Sequence, residues 1–132
     1  MKTTTAKKLG IKPGTSILLL NAPEGGLKLL GKLPEGVTIA KSARTEHPFV
    51  LAFVQNKVGV DQIGPTAVKA TKPEGALWFA YPKRTGSIKT DITRDVGWGT
   101  LYDLRYRPVT QIAIDETWTG FRFRPIELVK KR

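Results

Sequence analysis

Apolar residues in this chain come in short unbroken runs, separated by stretches rich in glycine, proline and charge. Ser16–Leu20 reads SILLL, between the turn-forming GIKPG of residues 10–14 and the loop NAPEGG of residues 21–26. A continuous run of that length suits a strand buried on both faces, as in a parallel sheet. Residues 49–54 (FVLAFV) and 77–81 (LWFAY) carry the same signature, and residues 37–40, 109–114 and 120–123 supply shorter ones. Between the runs the apolar spacing turns helical. Leu27, Leu30 and Leu33 predict a helix over residues 24–32, stopped by Pro34. Val60, Ile63, Ala67 and Val68 predict a second helix capped by Asn56, with Gly64-Pro65 kinking or breaking it. Trp98, Leu101, Tyr102 and Leu104 predict a third, from an N-cap at Thr93 to about residue 105, weakened by Gly97 and Gly99. This alternation specifies an α/β fold: a three-layer, mostly parallel sheet of about six strands, closed by a C-terminal antiparallel hairpin across the short connector 115–119.

The length of 132 residues fits one domain, able to bury about two-thirds of its unfolded surface. The expected organisation is a flexible N-terminus (1–8), a single domain (9–126) and a basic C-terminal tail (127–132). With no cysteine, disulfides and thiolate chemistry are excluded. The single histidine, His47, sits in a polar loop where exposure is expected, and it argues against a His-based metal site or triad. No apolar run is long enough to span a membrane and the start lacks the apolar core of a signal peptide, so a cytoplasmic protein is expected. The formal net charge of +11 is the unusual feature. It makes nucleic acid a possible partner, although the cations are spread along the chain.

The loop after the first strand occupies the place where nucleotide-binding α/β proteins cradle a phosphate. That chemistry needs bare backbone N–H groups at a helix N-terminus, in a Gly-x-Gly-x-x-Gly or Gly-Lys-Ser/Thr setting. Here Pro23 removes an N–H, and Glu24 places negative charge beside the helix start. Both oppose a phosphate and favour a capped helix. A neutral or cationic ligand is less disfavoured, and Gly25 and Gly26 permit close approach.

The order of elements is similar to that of class I S-adenosylmethionine-dependent methyltransferases. ATKPEGALWFAYPK looks like their helix-end, Pro-Gly turn and following strand, and the terminal strand pair looks like their closing hairpin. Two parts of the pattern are missing. The glycine loop reads NAPEGG rather than Gly-x-Gly, and the second strand ends Ile39-Ala40-Lys41, without the acid expected for ribose hydroxyls. The stretches KKLGIKPG, NAPEG, LWFAYPK, IKTDITRDVGW and AIDETWTGFRFRP resemble a small bacterial family known only as a domain of unknown function, over about residues 8–125. That resemblance implies a single degenerate, methyltransferase-like Rossmann-like domain and no defined activity. On this reading no cofactor and no metal are expected.

Ligands in open α/β sheets sit beyond the carboxyl ends of the strands. The residues expected there are Asn21, Pro23, Gln55, Asn56, Tyr81, Lys83, Asp115, Glu116 and Trp118, with the loop of Lys89, Thr90 and Asp91 folding over the same edge. Asp115 and Glu116 are candidates for a carboxylate pair, or for neutralising Arg122, Arg124 or Lys83. Lys83 is a candidate anion contact in an exposed loop, and Asp91 and Thr93 are expected to cap the following helix. Trp78 and Trp98 are expected in the core, and Trp118 either stacks on a ligand or covers the sheet edge. The preferred reading is a noncatalytic binding or regulatory module for an unknown small molecule or protein. A small methyltransferase-like enzyme and a nucleic-acid-associated protein are the alternatives.

Overall fold

The computed structural model describes residues 5–83 and 88–129. Six strands form one sheet in the order β2-β1-β3-β4-β6-β5. They are β1 (Ser16–Leu20), β2 (Thr38–Ala40), β3 (His47–Phe53), β4 (Thr71–Pro82), β5 (Tyr106–Ala113) and β6 (Trp118–Pro125). β1 pairs in parallel with β2 and β3, and β3 with β4. β6 runs antiparallel to both β4 and β5. The expected α/β sheet, parallel in the main with an antiparallel C-terminal pair, is the observed one.

Strand alternation divides the core between the two faces. On one face Val50, Ala52, Leu77, Phe79, Phe121 and Phe123 pack under α2 (Lys57–Lys69) and α3 (Gly99–Asp103). On the other, Ile17, Leu51, Phe53, Trp78 and Trp118 pack under α1 (Thr5–Lys8), the segment after it and a 3-10 turn, Leu27–Leu30. Trp98 anchors the first face. Its ring lies 5.4 Å from Tyr81, 5.7 Å from Phe79 and 5.4 Å from Phe121, all edge-on. Its indole N–H donates to the Thr93 carbonyl at 2.8 Å. Trp78 is buried on the opposite face and donates to the Leu9 carbonyl at 3.0 Å.

Several local expectations are revised. Residues 24–32 form no α-helix: only the 3-10 turn Leu27–Leu30 exists, Leu27 is exposed, and Gly31 at φ 71° ends it. The helix expected from Thr93 is reduced to Gly99–Asp103, because Gly97 adopts φ 108°, outside helical space. Conversely, α2 runs unbroken through Gly64-Pro65. The turn expected at residues 72–75 lies inside β4 as a bulge, where the register jumps from His47↔Thr71 to Phe49↔Ala76. Gly75 is required there, since a Cβ would sit 2.8 Å from the Pro48 carbonyl oxygen. Residues 5–8 are helical and Ala6 is fully buried, so this part of the N-terminus is docked rather than frayed. The start of the expected tail is likewise ordered, as a 3-10 turn at Ile126–Leu128. The basic residues 130–132, residues 1–4, and the Arg84-Thr85-Gly86 loop lie outside the described residues. His47 is buried instead of exposed. It opens β3, and its Nε2 lies 2.7 Å from the Ser42 carbonyl, which can only accept, so that nitrogen carries the proton.

Burial raises the phenol pKa of Tyr81 above its ordinary 10.0, opposed by Arg94 and reinforced by Asp95. Tyr106 is raised by burial, then by Glu127 and Glu46. For a group whose folded pKa is raised, the stability it confers is complete below the unfolded pKa and is lost as pH climbs through the folded value. Thermal stability should therefore fall above about pH 10. The fall from pH 9 to pH 11 should be smaller in Tyr81→Phe, and equal falls would contradict this assignment. At pH 9 the variant should lose about 0.5–1.5 kcal/mol, because the Tyr81 hydroxyl donates to Gln111 Oε1 at 3.0 Å.

Candidate functional site

The chain leaves β1 and β3 in opposite directions. The connection from β1 crosses one face through the 3-10 turn to β2, and that from β3 crosses the other through α2 to β4. Neighbouring strands whose connections diverge leave a crevice beyond their carboxyl ends, the usual ligand position in open α/β sheets. A cavity of about 410 Å³ lies there, bordered by Asn21 and Pro23 after β1, Phe53–Asn56 after β3, Val58, Gly59 and Gln62 of α2, and Trp118. Its volume falls within the range of small-molecule sites, roughly 300–1,000 Å³.

Each wall has a local cause. Asn21 takes φ 56°, a left-handed conformation that asparagine tolerates, and so turns the chain sharply off β1. Pro23 to Gly26 then close a turn, with the Gly26 N–H donating to the Pro23 carbonyl at 2.8 Å and Gly25 at φ 78°. A Cβ on Gly26 would lie 3.0 Å from both Ala22 Cβ and the Pro23 carbonyl oxygen. The glycines of this loop thus serve its own packing, and the Gly26 N–H is already committed. Across the crevice, Asn56 Oδ1 accepts from the Gly59 N–H at 2.9 Å, the N-cap bond expected from the sequence. Asp91 Oδ1 accepts from the Lys57 N–H at 2.8 Å. Asp91 therefore caps the preceding helix α2 rather than the helix that follows it. Thr93 Oγ1 accepts from the Asp95 N–H within its own loop.

The floor is aromatic: Phe53 and Trp118 meet edge-on, centroids 5.2 Å apart. Trp118 is buried and covers the sheet edge while still bordering the cavity. Among the described residues no charged side chain lines this crevice; its polar groups include the carboxamides of Asn21, Gln55, Asn56 and Gln62. A carboxamide offers a donor and an acceptor side by side, the pattern that pairs with the edge of a nucleobase such as adenine; at Asn56 the oxygen is shared with the cap bond from the Gly59 N–H.

Of the residues expected at the ligand edge, the structure brings Asn21, Pro23 and Trp118 together, with Gln55 and Asn56. Tyr81 is elsewhere, because alternation along β4 puts it with Phe79 on the α2 face, in the aromatic core. Lys83, Asp115 and Glu116 border a separate shallow hollow with Lys8. Asp115 is occupied by its own turn, its Oδ1 accepting from the N–H groups of Thr117 and Trp118 at 2.8 and 2.7 Å. Asp115 and Glu116 border one hollow together, beside Lys83, and among the described residues neither forms an ion pair with Arg122 or Arg124. Lys89 is exposed on the loop preceding Asp91. Gln62 and Gly59 were not foreseen; the fourfold spacing of Val58 and Gln62 on α2 was the available signal. Among the described residues no group of His, Asp or Glu is arranged to hold a metal ion, and no helix is long and apolar enough to cross a membrane.

The strand order, the closing antiparallel pair and the crevice between β1 and β3 define a methyltransferase-like Rossmann fold. Solved structures of that class are similar to this chain. A ribosomal protein L11 methylase from Lactobacillus delbrueckii subsp. bulgaricus superimposes with TM-score 0.57 at 8% identity, over 92% of this chain and 74% of its own. A SAM-dependent methyltransferase from Aquifex aeolicus gives 0.56 at 15% identity, over 89% and 85%. A Methanococcus jannaschii fibrillarin pre-rRNA processing protein gives 0.53 at 15%, over 93% and 69%. At these identities the likeness is one of fold. No family model matches the chain, and no curated protein matches it in sequence.

Proposed function

We propose that this protein is a small methyltransferase-like protein whose crevice between β1 and β3 binds a phosphate-free nucleoside of the S-adenosylmethionine class. The observation that carries this reading is the lining of the crevice, which bears carboxamides and, among the described residues, no charge. It suits adenine and a sulfonium nucleoside and gives a phosphate no counter-charge. Pro23 and Glu24 disfavour a phosphate at the loop and leave such a ligand acceptable. Gln55, Asn56 and Asn21 would hold its polar edges, and the Phe53–Trp118 pair its flat apolar part. When bound, S-adenosylmethionine supplies an activated methyl group. This chain's residues bind and orient. They include no acid at the end of β2, where Ala40 is followed by exposed Lys41, so the ribose must be held in another way or loosely.

That missing acid, together with Asp115 being spent on its turn, supports the second reading, a noncatalytic binding module on the same scaffold. A proton–nitrogen correlation spectrum titrated with S-adenosylmethionine tests the shared part. Shifts should concentrate on the amides of Gln55, Asn56 and Gly59 and on the Trp118 indole. Shifts confined to the hollow beside Lys83 and Glu116 would overturn it. Methyl transfer to any acceptor by the purified protein would then decide for the enzyme over the module.

A further inference from the structure

A second cavity, of about 450 Å³, opens at the opposite, amino end of the parallel strands, beside Thr15 before β1, Phe49 near the start of β3 and the bulge of β4. Among the described residues three cations border it, Lys12, Lys72 and Arg122, against one carboxylate, Glu74. Arg122 reaches it because alternation along β6 sends Phe121 and Phe123 to the α2 face and Arg122 to the other. Its Nε is buried yet has no hydrogen-bond partner among the described residues. Among the described residues no acidic side chain pairs with it; the charge that acts on it is Arg124, another cation. Burial, then Arg124, lowers its pKa, so the guanidinium sits where its charge is poorly compensated.

A buried donor without a partner leaves the guanidinium's charge poorly compensated, and an anion held by the part of Arg122 that borders the cavity would offset it. A guanidinium presents planar paired donors that match the oxygens of a phosphate. The described lining residues give the cavity a charge balance of +2, from three cations and one carboxylate. A phosphomonoester carries about −1.5 to −2 at neutral pH. Leu9, Pro48 and Phe49 give an apolar wall for the organic part. The geometry points to a second ligand site here, for a small phosphomonoester, with Arg122 as its principal contact and Lys12 and Lys72 as flanking charges. It is separate from the crevice between β1 and β3 and does not depend on what that crevice binds.

The test is an NMR titration of the full chain with phenyl phosphate and with inorganic phosphate, at constant ionic strength set by sodium chloride. Saturable shifts are expected at Phe49, Gly75 and Ala76, stronger for phenyl phosphate, with acetate weaker than either. Arg122→Met should weaken binding by roughly tenfold or more. Should that variant fold poorly, the exposed pair Lys12→Ser with Lys72→Ser should still weaken binding severalfold. No saturable shift at tens of millimolar, unchanged affinity in the folded variants, or binding only to an RNA oligonucleotide and not to the free phosphomonoester would each overturn the proposal.

Discussion

Trp98→Ala is expected to lower the unfolding free energy by about 3–5 kcal/mol, the largest stability effect of any single substitution considered for this chain. The indole is 2% exposed and touches Phe79, Tyr81, Phe121 and Phe123, which come from two different strands. Removing it opens a cavity among rings fixed by the sheet, which cannot collapse to fill it. The lost N–H donor also leaves the Thr93 carbonyl without that partner. Domains of this size hold roughly 5–15 kcal/mol in all, so the variant should unfold at much lower urea concentration. Trp98→Phe should recover part of the loss. A midpoint for Trp98→Ala within error of the parent would refute the role given to this residue.

Gly59→Trp should abolish nucleoside binding while leaving the fold intact. Gly59 lies in the first turn of α2, at the crevice, and a Cβ there would meet only ordinary contacts, 3.5 Å to Asn56 Oδ1 and 3.7 Å to Val54 Cβ. An added side chain therefore starts without strain and extends into the cavity. Loss of at least about tenfold in affinity is expected, equivalent to ~1.4 kcal/mol or more. Gly59→Ala, by contrast, should be neutral in binding and stabilise the helix by about 0.5–1 kcal/mol. The pair separates occlusion of the crevice from damage to α2. Parental affinity in a folded Gly59→Trp would show that the ligand lies elsewhere.

The sheet was legible in the sequence because its central strands are buried on both faces, and burial on both faces writes itself as unbroken runs such as SILLL and FVLAFV. Asn56 was legible as a cap because the N-cap bond is local. The failures are equally physical. Leu27, Leu30 and Leu33 have a spacing that an α-helix and a 3-10 turn share, and the positive φ of Gly31, which ends the turn after Leu30, is not written in the pattern. Gly97 was seen as a weakness, but its backbone conformation, which ends any helix begun at Thr93, depends on tertiary packing against Ile92. His47 looked exposed because its neighbours in sequence are polar; its burial comes from pairing beside Thr71. At the site, Asn21, Pro23 and Trp118 followed from the rule that ligands lie beyond strand ends. Tyr81 did not, since a residue near the end of a strand still points into whichever face its alternation dictates. Arg122 was placed on the correct side of β6 by period two, but the burial of its Nε without a partner among the described residues is not written in that pattern.

The charge on the protein and the charge in its crevice tell different stories: the chain carries +11, yet among the described residues no charged side chain lines the space between β1 and β3. A calorimetric titration of the purified protein with S-adenosylmethionine, set beside ADP under the same salt, measures the consequence. Saturable heat with S-adenosylmethionine, unaffected by added phosphate, and none from ADP that Gly59→Trp removes, is the predicted result. A flat S-adenosylmethionine trace at millimolar concentration, or ADP binding lost in Gly59→Trp, would contradict it.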